Sequence, residues 1–250
     1  MSVHNLFNNV YMIEGTVGER PLRLPLLVGD DRTVLMDTGA ASDVEGLIKP
    51  ALAELNLAPD DLSILLITHP DFDHQGGNAA LKRDAPNALL VCSDADRPLI
   101  EDPEVIYDRR YDAYREKHDH YNDAETEDFI MEELGAPQPV DLTFSGGEQI
   151  RLGDDWRVDV VSLSGHSRGH LGVLDRKHDA LYGGDAIHGD VYLDTDGNAA
   201  LPPTYLHVQQ YLRTIQFVEH LDIDTYVGCH WSVKTGDEIA EFCRDSRLYV

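Results

Sequence analysis

Short apolar runs dominate the first third of the chain. Val10-Tyr-Met-Ile13 and Leu24–Val28 read as strands separated by a turn around Gly15–Gly18, and Thr33-Val-Leu-Met36 as a third strand ending in Asp37-Thr-Gly39. Val44–Leu55 has helical spacing, with Ser42 or Asp43 as its expected cap. Leu62–Ile67 is a run rich in isoleucine and leucine, the mark of a buried strand. A helix over Asn78–Asp84 and a second buried strand over Ala88–Cys92 follow. Beyond Pro139 the strand pattern returns at Gln149–Leu152, Trp156–Leu163, Leu171–Leu174, Ala180–Tyr182 and Thr225–Gly228, with helices at Val208–His220 and Glu238–Ser246. The outline is strands with a few helices, twice, without an internal repeat or a Gly/Ser linker.

Residues 94–135 break this pattern. They are highly charged and carry Tyr107, Tyr111, Tyr114 and Tyr121 at spacings near three, four and seven, which predicts one or two amphipathic helices. The segment reads as an insertion or lid over one end of the fold, or as a solvated pair of surface helices. His118 and His120 within it are expected to be exposed.

Composition adds limits. At 250 residues and 42% hydrophobic content the chain suits one domain spanning 1–250 with a proper core. The three cysteines, Cys92, Cys229 and Cys243, form no CxxC and no disulfide framework. No signal peptide or membrane helix is expected, and a cytoplasmic setting is the default reading. The 46 acidic residues against 20 basic ones give a formal charge of −26, with only five lysines. Self-repulsion of that size calls for screening, and the Debye length falls to about 3 Å near 1 M salt, so the composition is read as halophilic. The sign also argues against nucleic acid as a partner.

Four loops carry candidate chemistry, each at the C-terminal end of an expected strand. They are His69-Pro-Asp-Phe-Asp-His74, Ser164-Gly-His-Ser-Arg-Gly-His170, Gly183-Gly-Asp185 and Gly228-Cys-His230. Any one of the last three is an ordinary turn sequence. The first sets four potential ligands within six residues beside an apolar strand, a costly cluster without a cation.

Taken in this order, with Asn9-Val-Tyr11, Leu35-Met-Asp-Thr-Gly39 and Thr68–Gly77, the chain resembles the metallo-β-lactamase superfamily of hydrolases over almost its whole length. The resemblance implies an α+β fold, a four-layer αββα sandwich with the metals at one edge between two sheets, here with a helical insertion around 94–135. It implies His69, Asp71 and His166 around a first divalent metal, Asp73, His74 and His230 around a second, and Asp185 bridging them. It also implies a water or hydroxide between the metals as nucleophile, Asp73 as a proton shuttle, and Asp37 orienting a ligand histidine. The family's usual motif is His-x-His-x-Asp-His, and Asp71 departs from it. Carboxylate oxygen still binds zinc at about 2.0–2.2 Å. Zinc is the first expectation for the two metals, but a harder and more negative ligand set opens iron or manganese as alternatives. Asp71, Asp73 and Asp185 give −3, so the motif alone predicts a less acidic bound water and activity that rises at higher pH.

Other residues carry weaker signals. His170 and His188 can line the pocket or serve as structural histidines, the structural reading being favoured for His170. Tyr192 and Tyr205 are candidates to steady a substrate carbonyl, as a tyrosine does in related lactonases. Cys229 is read as a small packing residue rather than a soft ligand. Ser167 lacks a Gly-x-Ser-x-Gly elbow, and Asp37-Thr-Gly39 lacks the second triplet an aspartic-protease dyad requires. The expected function is hydrolysis of a small ester, lactone or thioester by a dinuclear metal site. The alternatives are a phosphodiesterase or nuclease of the same fold, a diiron redox protein, and a non-catalytic metal-binding protein. The expected partner is a small-molecule substrate, with no membrane; a homodimer contact through the insertion is a further alternative.

Overall fold

The computed structural model describes residues 2–119 and 121–250. Strands β1 (Ser2–Phe7), β2 (Val10–Val17), β3 (Arg20–Val28), β4 (Thr33–Met36), β5 (Ile64–Leu66), β6 (Leu89–Ser93) and β7 (Leu142–Phe144) form one sheet in chain order. The first four run antiparallel to their neighbours and β4 to β7 run parallel. A second sheet holds β8 (Gln149–Arg151), β9 (Arg157–Ser162), β10 (Leu171–Asp175), β11 (Ala180–Gly184), β14 (Thr225–Gly228) and β15 (Lys234–Thr235), in the order β15-β14-β11-β10-β9-β8. A small hairpin, β12 (Tyr192–Leu193) with β13 (Ala199–Leu201), stands apart from both.

Strand alternation builds the layers. Val34, Met36, Ile64 and Leu66 meet Val158, Val160, Val173 and Tyr182 of the other sheet in a core between the sheets. Their neighbours Leu35, Leu65 and Ile67 face the opposite way, onto Val44, Ile48, Leu52 and Leu81 from the helices of the first half. Those helices are a π-helical turn, Val44–Ile48, running into α1 (Lys49–Glu54), then α2 (Phe72–Gln75) and α3 (Asn78–Asp84). Leu174, Leu181 and Tyr226 of the second sheet pack on Tyr211, Ile215 and Phe242 from the last two helices of the chain, at Val208–Glu219 and Asp237–Tyr249. Helix, sheet, sheet, helix is the four-layer sandwich expected. Strands buried on both faces read as unbroken apolar runs, which is why β5 and β6 were visible in the sequence.

Several details differ. The expected turn at Gly15–Gly18 is strand as far as Val17, which pairs with Arg20, so the reversal is confined to Gly18-Glu19. Neither Ser42 nor Asp43 caps the first helical segment; the Asp43 carboxylate instead accepts the Ala40 amide. The insertion is not two long helices but α4 (Arg97–Ile100), α5 (Pro103–Ile106), a π-helical turn at Tyr107–Tyr111, α6 (Arg115–His118) and α7 (Ala124–Leu134). Its Ile106, Tyr107, Ile130 and Leu134 form a small core of their own, against which Phe72 and Tyr111 pack. The C-terminal end of α7 is fixed to the scaffold. Ala41 donates to the Glu133 carbonyl, and Ser42 to its carboxylate. A Cβ on Gly76 would stand 1.9 Å from that carbonyl, so only glycine allows this approach. Among the described residues no helix is long and apolar enough to cross a membrane.

Burial, together with Glu133 and Asp73, raises the Asp43 carboxyl from 3.8 to about 6 against the pull of the Ala40 amide. A raised acid pKa marks a charged form that the fold disfavours, a cost absent below about 3.8 and complete above about 6. Asp43→Asn keeps an acceptor for Ala40 and removes that charge. Its thermal midpoint should exceed the parent's at pH 7.5, and the gap should close as pH falls towards 4; equal midpoints at both pH values would contradict this.

Candidate metal centre

The four loops singled out in the sequence converge at one edge of the sandwich. β5 delivers Thr68 and His69, and the chain then turns into α2, with Asp71 extended at its start and Asp73 and His74 in its single turn. β9 leads to His166 through Gly165, whose φ of +148° and 2.4 Å approach to Tyr211 exclude a side chain. β11 ends at Asp185, and β14 at Cys229 and His230. His69, Asp73, His74, His166, Asp185 and His230 are all buried.

Two donor groups result. In one, Asp185 Oδ1 lies 3.7 Å from His74 Nε2 and Asp185 Oδ2 lies 3.4 Å from His230 Nε2. Asp73 Oδ2 adds contacts of 3.3 Å to His230 Nε2 and 4.0 Å to His74 Nε2. Cys229 also reaches this group, with ligand atoms of His74, Asp185, Cys229 and His230 all within 4.8 Å of one another. The other group is His69, Asp71 and His166. The seven expected ligands thus lie together, with Asp73 beside the His74 group and Asp185 close to both His74 and His166.

The histidines are turned inward by their far nitrogens. His166 Nδ1 lies 2.7 Å from the Thr204 carbonyl, and His230 Nδ1 2.6 Å from the Pro21 carbonyl. A carbonyl only accepts, so Nδ1 carries the proton in both rings and Nε2 keeps its lone pair for the centre. His74 Nδ1 donates in the same way to Asp37 Oδ2 at 2.8 Å, the orienting role expected of Asp37. Asp37 also receives the Thr68 amide and hydroxyl, and that hydroxyl oxygen lies 2.9 Å from His69 Nδ1. His69 Nε2, His74 Nε2 and Asp185 Oδ1 are buried without a hydrogen-bond partner. Bare acceptors converging beside carboxylates suit a divalent cation, and at the second group they fit one as they stand.

The first group is different, because the insertion reaches into it. Arg110 Nε donates to Asp71 Oδ1, and its Nη2 donates to Asp71 Oδ2 at 2.6 Å and to His166 Nε2 at 3.0 Å. Tyr111 supports the same carboxylate from 3.4 Å while accepting the Phe72 amide at 3.0 Å. Burial pushes the Asp71 carboxyl up, but the Arg110 guanidinium beside it holds it well below the usual carboxylate range. Arg20 lies 3.9 Å from Asp73 and over the Tyr192 ring. The count of −3 made from the motif therefore omits the nearby cation of Arg110. Arg20 had no distinguishing signal in the sequence. Arg110 had a faint one, as half of a basic pair in an acidic segment.

The remaining candidates sort by their contacts. Tyr192 Oη donates to Asp185 Oδ2 at 3.2 Å, whereas Tyr205 stacks on Tyr211. His188 Nε2 donates to the Asp185 carbonyl at 2.7 Å and its Nδ1 accepts the Thr204 amide, so its ring is satisfied by backbone despite lying close to His166 and Asp185. His170 is buried, stacks on His69 and has neither ring nitrogen bonded. Ser167 donates to Asp96. His118 is exposed, and His120 lies outside the described residues.

With this geometry in place, comparison with known proteins is direct. The sequence model of the Metallo-beta-lactamase superfamily matches residues 26–230, and the chain belongs to that family. A metallo-beta-lactamase family protein from Thermus thermophilus superposes with a TM-score of 0.77 at 20% identity, over 98% of this chain and 79% of that one. BJP-1, a subclass B3 metallo-beta-lactamase of Bradyrhizobium japonicum, gives 0.70 at 21%, over 100% and 92%. A metallo-beta-lactamase from Pontibacter korlensis gives 0.68 at 16%, over 98% of each chain. At these identities the likeness is one of fold. Among curated protein sequences none matches.

Asp37→Asn replaces a carboxylate that fixes His74 and, through Thr68, His69. Metal affinity at the His74 group should fall about 10–100-fold, read by chelator competition. An unchanged affinity would show that Asp37 does not orient the ligand.

Proposed function

We propose that this protein is a metal-dependent hydrolase of small esters, lactones or thioesters. The observation that carries the reading is the convergence on Asp73 and Asp185 of two imidazoles anchored from behind, His74 and His230, the first with a bare Nε2. His74, Asp185 and His230, with Asp73 beside them, would hold a divalent cation, which would supply an activated water at neutral pH and polarisation of a carbonyl. The chain's own groups do the rest. Asp73 Oδ2, with Arg20 on its outer side, is placed to take a proton from the attacking water and return it to the leaving oxygen or sulfur. Tyr192 Oη, which donates to Asp185 Oδ2 at 3.2 Å, would turn from that carboxylate to donate to charge developing on the carbonyl oxygen.

The cleft beside the site supports a modest, partly apolar substrate. It encloses about 450 Å³ and is lined by Arg20, Phe72, Phe129, Ala199, Ala200 and Leu201. Arg20 and Phe72 join it to the metal centre, and Phe129 meets Phe72 edge-on at 5.9 Å. Glu19 and Asp194 line the same cleft, which disfavours a phosphodiester. Zinc is the cation proposed, with iron or manganese as alternatives, and one domain in a cytoplasmic, high-salt setting is the context proposed.

The test is turnover in high salt of p-nitrophenyl butyrate, an acyl thioester and bis(p-nitrophenyl) phosphate. Ester or thioester turnover should exceed phosphodiester turnover, should disappear on chelation and should return with added zinc. Asp185→Asn should lower it about 100-fold or more. Activity indifferent to chelation, or confined to the phosphodiester, would overturn the reading.

A further inference from the structure

The contacts of Arg110 go beyond a supporting role. Its guanidinium engages both oxygens of Asp71 as a fork, and the nitrogen facing Asp71 Oδ2 also takes the lone pair of His166 Nε2. Since His166 Nδ1 carries its ring's proton, Nε2 can only accept, so the 3.0 Å separation of His166 Nε2 and Asp71 Oδ2 sets two acceptors side by side. Arg110 Nη2 is the donor they share. Two of the three donors of the first group are therefore spent on a cation the chain itself provides, and only His69 Nε2 is left bare. We propose that the guanidinium of Arg110 takes the place of the first metal, so that the protein binds a single divalent cation, at the His74, Asp185 and His230 group.

Three further observations support this. The Arg110 side chain is only 9% exposed, held by the π-helical turn Tyr107–Tyr111, and its Nη1 reaches the His166 carbonyl at 3.4 Å. A guanidinium fork matches a carboxylate and has no such match in an imidazole. Aspartate at position 71 is thus the residue type an arginine anchor requires, which accounts for the departure from the family's histidine. The formal charges also close. With Asp37 behind His74 and Arg20 beside Asp73 included, four carboxylates (Asp37, Asp71, Asp73 and Asp185) face two guanidinium groups, which leaves −2 against one divalent cation. A second divalent cation beside His69 would lie against Arg110 and find Asp71 and His166 already engaged.

The inference rests on the metal-dependent reading above, and its test reads metal content rather than activity. Protein purified in high salt is loaded with excess zinc, freed of unbound metal and measured by elemental analysis. The parent should hold one equivalent and His74→Ala none. Arg110→Ala should hold two, because it frees the complete His69, Asp71, His166 set. Arg110→Met, which keeps the aliphatic stem, is the second variant should the alanine protein fail to fold, with circular dichroism as the check. Two equivalents in the parent would overturn the proposal while leaving the hydrolase reading intact. One equivalent in a folded Arg110 variant, or one retained by His74→Ala, would also overturn it. No metal in the parent would overturn both readings.

Discussion

Three carboxylates, Asp71, Asp73 and Asp185, stand together at the edge of a sandwich whose sheets are otherwise packed with aliphatic side chains. Isolated carboxylates in such a place would neutralise rather than stay charged. The whole site is an answer to that cost. Arg110 meets Asp71 and Arg20 flanks Asp73. His74 and His230 face Asp185 across 3.7 and 3.4 Å, placed so that a divalent cation would be shared between imidazole and carboxylate. Each histidine is in turn steadied from behind by a carbonyl, a hydroxyl or Asp37. Removing the compensation at any point leaves a buried charge unpaired, which costs far more than the surface ion pairs elsewhere on this acidic chain contribute.

Arg110 and Asp37 hold different residues of the motif loop. Asp37 belongs to the scaffold, at the end of a central strand, and holds His74 through a network that also includes Thr68. Arg110 belongs to the insertion and holds Asp71. Asp71 and His74 lie three residues apart, yet one is held from the helical segment 94–135 and the other from the end of β4. The two donor groups of a single loop thereby acquire different characters without any change in backbone course.

Much of this was legible in the sequence because the relevant signals are local. β4 and α3 were bounded correctly, since unbroken apolar runs and clear helical spacing leave little choice. The seven candidate ligands follow strand ends within a few residues, so motif order alone brought them together. What escaped notice depends on distant contacts. β1 and β7 are edge strands with mixed burial, β12 and β15 are two residues long, and none has a pattern to read. The insertion shows tyrosines at helical spacing, but Pro103 and the π-helical turn cut it into short pieces. Arg110 sits 39 residues from Asp71, and nothing local to either says that they meet.

The bond between Ala41 and the Glu133 carbonyl, with Gly76 pressed against the same oxygen, gives the insertion a fixed side and an open one. On the fixed side backbone meets backbone. On the open side Phe129 and Phe72 look across to the β12–β13 hairpin. The cleft between them, edged by the two aromatic rings and lined by Arg20 beside Asp73, links the centre to the surface. The residues that set its width lie in the insertion and the hairpin, so selectivity can change there while the ligands stay as they are.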